Sequence, residues 1–67
     1  MHKNLTVGQE FQLEQDLEGE DCSFYKGDNV RVTELIPGKA CKLELLDGWN
    51  DIKDWVILGE EGELVGR

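Results

Sequence analysis

Residues 19–35, GEDCSFYKGDNVRVTEL, decide the fold class of this 67-residue chain. After an acidic start, apolar residues alternate with polar ones, first at Cys22 and Phe24 and then at Val30 and Val32. The Lys-Gly-Asp sequence between these two runs predicts a turn, because glycine accepts the positive φ that tight turns need. A period of two, interrupted by turns, is typical of antiparallel β-structure and predicts that all four apolar residues face a core.

The same alternation extends to both sides of this stretch. Pro-Gly at residues 37–38 and Asp-Gly at residues 47–48 are strong turn dipeptides, and they divide the apolar runs into short pieces. Five or six strands are therefore expected, at residues 9–14, 22–24, 29–35, 40–46 and 56–58, with residues 63–65 as a last edge strand.

Two stretches depart from the strand pattern. Residues 16–21 are acidic with no basic residue, and they predict a solvated loop. Trp49, Ile52 and Trp55 recur every three residues, which favours a single 3₁₀ or α turn over a strand.

Net charge restricts the partners that this chain could bind. Fifteen acidic residues against seven basic ones give a formal net charge of −8. The electrostatic field of this charge repels nucleic acids and anionic membranes and attracts basic proteins. Alternatively, the negative charge could serve only to keep a small domain soluble. No apolar leader or membrane-spanning run is present, so the cytoplasm is the expected compartment.

Few residues suggest catalysis or metal binding. The single histidine, His2, lies near the terminus, and no nucleophile-and-base set or phosphate-binding loop occurs, so neither an enzyme nor a cofactor is expected. Acidic residues of the 16–21 loop could gather around Ca²⁺, but the spacing is not that of an EF-hand and a solvated loop is the favoured interpretation. Cys22 and Cys41 are interpreted as buried small hydrophobes, with a bridge between them as the less favoured alternative.

Residues 20–28 resemble the part of the SH3 domain in which an acidic loop precedes Glu/Asp-Leu-Ser-Phe-x-x-Gly-Asp/Glu. Residues 47–49, Asp-Gly-Trp, and residues 54–56, Asp-Trp-Val, resemble the family's distal Gly-aromatic pair and its closing Asn-Tyr-Val. The resemblance implies an all-β fold, a small SH3-like antiparallel barrel of five or six strands with one short 3₁₀ turn. Residues 9–67 would form this barrel, and residues 1–8 an N-terminal extension or a frayed edge strand.

The resemblance does not extend to the family's peptide groove, which holds proline-rich segments between aromatic side chains. Residues 11–15 lack both tyrosines of the Ala-Leu-Tyr-Asp-Tyr motif, and residues 40–41 lack the paired tryptophans. Only Trp55 keeps an aromatic side chain at a groove position. The acidic loop that contacts basic residues flanking the peptide is retained. The resemblance therefore favours the barrel and not proline-rich recognition.

The leading functional hypothesis is a non-enzymatic module that docks a basic protein surface through its acidic loop and an aromatic anchor. Two alternatives are a DNA-mimic inhibitor of a nucleic-acid-binding protein and a structural subunit of a larger assembly. Direct nucleic-acid binding is not expected, since the lysines and arginines are scattered among excess acids. The predicted protein-binding residues are Glu14, Asp16, Glu18, Glu20, Asp21, Trp49 and Trp55.

Overall fold

Residues 5–48 and 52–65 are described by a computed structural model, and they form six short antiparallel strands in two sheets. The first sheet has the order β1-β4-β5-β6, and β2 pairs with β3 in the second. Within the described residues there is no helix, and the strands do not close into a barrel. The strands are β1 (Glu10–Gln12), β2 (Leu17–Glu18), β3 (Ser23–Phe24), β4 (Asn29–Ile36), β5 (Ala40–Leu45) and β6 (Lys53–Ile57).

The β4–β5 hairpin forms the centre of the larger sheet and follows the sequence prediction. Gly38 has a φ of +73° in the connecting turn, which the N–H of Lys39 closes by donating to the Ile36 carbonyl at 3.0 Å. An irregularity between Val32 and Glu34 shifts the register by one residue, so Leu35 lies opposite Cys41. Such a bulge lets the end of a strand change the face that its side chains occupy.

The core lies between the two sheets and is built almost entirely of aliphatic side chains. Removing them from water is the main stabilising contribution available to a chain of this length, since roughly 25 cal/mol is gained for each Å² of apolar surface buried. Leu5, which precedes β1, also belongs to this core. Its members are Leu5, Leu13, Leu17, Phe24, Val30, Val32, Cys41, Leu43, Val56, Leu58 and Leu64.

The predicted solvated loop at residues 16–21 is wrong in its first half. Leu17 and Glu18 form β2, and Leu17 pairs with Phe24 and is only 1% exposed. The surrounding acids obscure this strand in the sequence. A small domain nevertheless has to bury each large aliphatic side chain it can, and Leu17 is the only one in this stretch.

The prediction of two inward-facing cysteines is half wrong. Cys41 is fully buried on β5, whereas Cys22 is exposed, and both are free thiols. Cys22 precedes the first residue of β3, so the alternation that buries Phe24 does not extend to it. The alternative of a Cys22–Cys41 bridge is therefore not realised.

The predicted 3₁₀ turn is wrong where the structure describes it, because Trp55 lies in the middle of β6. It pairs with Lys42, while Asp54 and Val56 face inward. An acidic residue at an inward position hides the period of two, so the sequence pattern does not indicate a strand at residues 53–55. Trp49 lies outside the described residues. The predicted edge strand at residues 63–65 is reduced to a single bridge between Leu64 and Leu58.

No helix in the described part of the chain has the length and apolar character needed to cross a membrane.

Candidate functional site

A groove of about 620 Å³ lies where the turn between β2 and β3 meets β6 and the C-terminal segment. Residues 19–22 form this turn, which is called the acidic turn below. An isolated bridge joins Gly19 to Val56, and the N–H of Glu20 donates to the Trp55 carbonyl at 3.0 Å. The groove is lined by Glu18, Gly19, Glu20, Trp55, Ile57, Leu58 and Val65.

The carboxylate of Asp54 fixes the acidic turn against β6. Its Oδ2 accepts hydrogen bonds of 2.7 Å from the backbone N–H groups of Asp21 and Cys22. Its Oδ1 accepts a third, of 2.8 Å, from the N–H of Trp55. Asp54 is only 5% exposed, so these three donors replace the water that a carboxylate would otherwise bind.

The ionisation of Asp54 depends on these contacts. Burial by itself raises the pKa of this carboxyl group, because it disfavours the charged form. The N–H groups of Cys22, Asp21 and Trp55, together with the positive charge of Lys42, act in the opposite direction, and the pKa lies below the ordinary aspartate value. Asp54 is therefore a buried anion at neutral pH.

The close approach of Asp54 to the turn requires glycine at position 19. A Cβ at Gly19 would lie 2.5 Å from the Oδ2 of Asp54 and 2.6 Å from the carbonyl oxygen of Cys22. That oxygen accepts the hydrogen bond from the Gly19 N–H, at 2.8 Å, that closes the turn. Any side chain at position 19 would force these groups apart and displace one wall of the groove.

The floor of the groove is apolar and accessible to solvent. Trp55 is half-buried, and the ammonium of Lys42 lies 5.9 Å from the centre of its ring. Ile57 is 75% exposed and Val65 is 56% exposed. Exposed aliphatic side chains beside a tryptophan, with carboxylates at the rim, are typical of a surface that binds another molecule.

No family model, curated protein or solved structure matches this chain.

The structure brings three of the predicted site residues together, since Glu18, Glu20 and Trp55 line the same groove. Glu14, Asp16 and Asp21 are exposed but do not line it. The carboxylate of Asp16 accepts a hydrogen bond of 2.8 Å from the Lys26 N–H. Trp49 is outside the described residues, so its place in the site stays a prediction.

Sequence reasoning missed three residues that shape the groove. The apolar run at residues 56–58 predicts a strand but does not show which face Ile57 occupies, and Val65 belongs to a predicted edge strand. Asp54 enters the sequence analysis only as part of a motif. Ile57 could have been placed if the strand had been predicted to begin at Lys53, as β6 does. The period of two of a strand puts residues 55 and 57 on the same face, so Ile57 would be predicted to lie beside Trp55.

The described lining of the groove offers carboxylate and apolar side chains but no thiol, hydroxyl or imidazole. Among residues 5–48 and 52–65, no three His, Cys, Asp or Glu side chains gather closely enough to hold a metal ion.

Proposed function

We propose that this protein is a non-enzymatic interaction module whose groove docks a basic segment of another protein. The observation that carries the proposal is that Glu18, Glu20 and Trp55 line one groove. A partner's aliphatic or aromatic side chain would pack on Trp55, and its lysine or arginine would lie near the two carboxylates.

The two parts of the groove would contribute differently to binding. Burial of apolar surface on Trp55 and its neighbours would supply most of the affinity, since tryptophan is enriched among residues that dominate binding energies. The carboxylates, within a chain of net charge −8, would speed the encounter with basic partners and disfavour acidic ones. An ion pair at the solvated rim would add little affinity by itself.

An SH3-like arrangement is part of the same proposal. Its support is the set of six short antiparallel strands, and the resemblance would make residues 16–21 the counterpart of the family's acidic loop. Proline-rich recognition is not proposed, because Trp55 is the one aromatic side chain among the described groove residues.

Affinity capture from a lysate of the source cells, compared across variants, tests the proposal. Proteins retained by the wild type should be lost with Trp55→Ala and with Glu20→Lys. They should be retained by Glu14→Lys, which makes the same change of charge at an exposed residue away from the groove. A captured protein is then purified and its affinity for each variant is measured by titration calorimetry.

The result that would contradict the proposal is equal weakening by Glu20→Lys and Glu14→Lys with no effect of Trp55→Ala. Overall charge would then explain the binding. A captured set of nucleic-acid-binding proteins that DNA displaces would support the DNA-mimic alternative instead.

A further inference from the structure

The apolar surface does not end at the groove but continues across the outer face of the larger sheet. Ile57 on β6 pairs with Ala40 on β5, and Ala40 pairs with Ile36 on β4. Ile36 is 45% exposed and Ile57 is 75% exposed. These three residues are called the apolar row. It crosses three neighbouring strands, a distance of about 10 Å, so one short segment could cover it together with the groove.

The charges around this surface are unevenly distributed. Glu18 and Glu20 lie at the end of the surface formed by the acidic turn. Lys39 precedes the apolar row in the β4–β5 turn, and its carbonyl accepts a 2.8 Å hydrogen bond from the Leu58 N–H. Lys42 lies in the adjacent row, beside Trp55 and 3.9 Å from Glu34. The acidic turn therefore lies at one end of the surface and Lys39, whose N–H donates to the Ile36 carbonyl, at the other. Lys42 belongs to neither end, because it lies beside Trp55 and is paired with Glu34.

We infer that the groove and the apolar row together bind a single segment of a partner protein in one orientation. This inference rests on the proposed function. The segment places lysine or arginine beside Glu18 and Glu20 and lays aliphatic or aromatic side chains over Ile57 and Ile36. It carries no basic residue at the end that meets Lys39.

Charge complementarity selects this occupant. A basic group gains attraction at the acidic turn and meets repulsion near Lys39, which sets the direction of the segment. A second copy of the chain is disfavoured, because association would bring together two molecules that each carry a net charge of −8.

Selection of a displayed random-peptide library on the immobilised protein tests the inference. Enriched peptides should share basic residues at one end followed by aliphatic or aromatic ones. A purely basic consensus, a proline-rich consensus without basic residues, or no enrichment would overturn it.

Variants of the protein then locate the binding of one enriched synthetic peptide. Ile57→Ser should weaken the peptide's affinity about tenfold, since an isoleucine side chain that is buried on binding contributes at least that factor. Ile36→Ser should weaken it less, because Ile36 is less exposed. Val7→Ser is the matched control, since Val7 is 63% exposed and lies outside the groove and the row, and it should leave the affinity unchanged.

The orientation has its own test. Lys39→Glu should let the protein bind a version of the peptide with a lysine added at its apolar end, which the wild type binds more weakly than the parent peptide. Equal affinity of the wild type for both peptides would contradict the orientation.

The two proposals fail differently. If Trp55→Ala abolished peptide binding while Ile57→Ser and Ile36→Ser did not weaken it, the apolar row would have no part in binding. The proposed function would be unaffected by that result. If none of the variants, Glu20→Lys included, weakened peptide binding, both proposals would be wrong.

Discussion

The Oδ2 atom of Asp54 accepts a 2.7 Å hydrogen bond from the backbone N–H of Cys22, which lies 32 positions earlier in the chain. This contact joins β6 to the acidic turn and so connects the two sheets at the edge of the groove. A buried carboxylate is costly without partners, and here three N–H groups supply them. Asp54 is therefore best understood as the residue that positions the turn.

Replacing Asp54 with asparagine should destabilise the fold by about 2–3 kcal/mol, because hydrogen bonds to a charged acceptor are lost and an amide N–H₂ would face backbone donors. The free energy of unfolding is measured by urea denaturation. Asp47→Asn is the matched control: the exposed Asp47 carboxylate accepts hydrogen bonds from Asn29, and its loss should cost less than about 1 kcal/mol. Equal effects of the two variants would contradict the role given to Asp54.

The stabilisation by Asp54 should depend on pH in one direction. Because its pKa is lower in the folded protein than in the unfolded chain, its contribution is present above the unfolded value of about 4 and is lost as the pH falls through the folded value. The difference in unfolding free energy between the wild type and Asp54→Asn should therefore be constant near neutrality and shrink below about pH 4. Urea denaturation at a series of pH values measures it, and a difference that grows on acidification would contradict the assignment.

Gly19→Ala should destabilise the protein by about 1–3 kcal/mol, because the added methyl group overlaps the Asp54 carboxylate and the Cys22 carbonyl. In an Asp54→Ala background one of these two clashes is absent, so the same substitution should cost less. A double-mutant cycle followed by thermal denaturation compares the two values. Strict additivity would show that the carboxylate does not approach Gly19 as described.

A row of alternating charges crosses all four strands of the larger sheet, in the order Glu10, Arg31, Glu44, Lys53. Arg31 lies 3.1 Å from Glu10 and 3.2 Å from Glu44, and Lys53 lies 3.8 Å from Glu44. Arg31→Met should cost roughly 0.5–1 kcal/mol at low ionic strength and less in high salt, because these side chains are partly solvated. Lys26→Met removes one positive charge from an exposed turn and serves as the control, with an effect near zero in urea denaturation.

The two cysteines should differ sharply in reactivity with a disulfide reagent at mildly alkaline pH. Cys22 is exposed and should react quickly, whereas burial raises the pKa of Cys41 to about 11 and excludes the reagent. The native protein should therefore show one fast thiol, and Cys22→Ser should abolish that phase. Two fast thiols in the folded wild type would contradict the core described above.

Strands whose polar and apolar residues follow the simple alternation could be predicted from sequence, as β4 and β5 show. Leu17 and Trp55 could not be placed, for a shared physical reason. Leu17 is a lone apolar residue among acids, and Trp55 follows an acid that faces inward. Both placements depend on pairing with another part of the chain. Leu17 is buried by pairing with Phe24 on the adjacent strand β3, and Asp54 faces inward because it accepts hydrogen bonds from the acidic turn, more than thirty positions earlier.

The candidate site, like the fold, could be predicted from the sequence only in part. The sequence indicated an acidic segment and an aromatic anchor, and Glu18, Glu20 and Trp55 do line one groove. It could not separate them from Glu14, Asp16 and Asp21, which carry the same charge but do not line the groove. Nor could it identify Ile57 and Ile36 as exposed, since a strand's outer face is known only once its register is known.

The sequence alone determined the fold class, the strong central hairpin and the excess of negative charge, because these follow from local periodicity, turn chemistry and composition. Only the tertiary structure decided which acids share a surface with Trp55. Hydrogen bonds and pairings between residues more than thirty positions apart, such as those of Asp54, fix that arrangement. Local sequence pattern carries no information about contacts over such a separation.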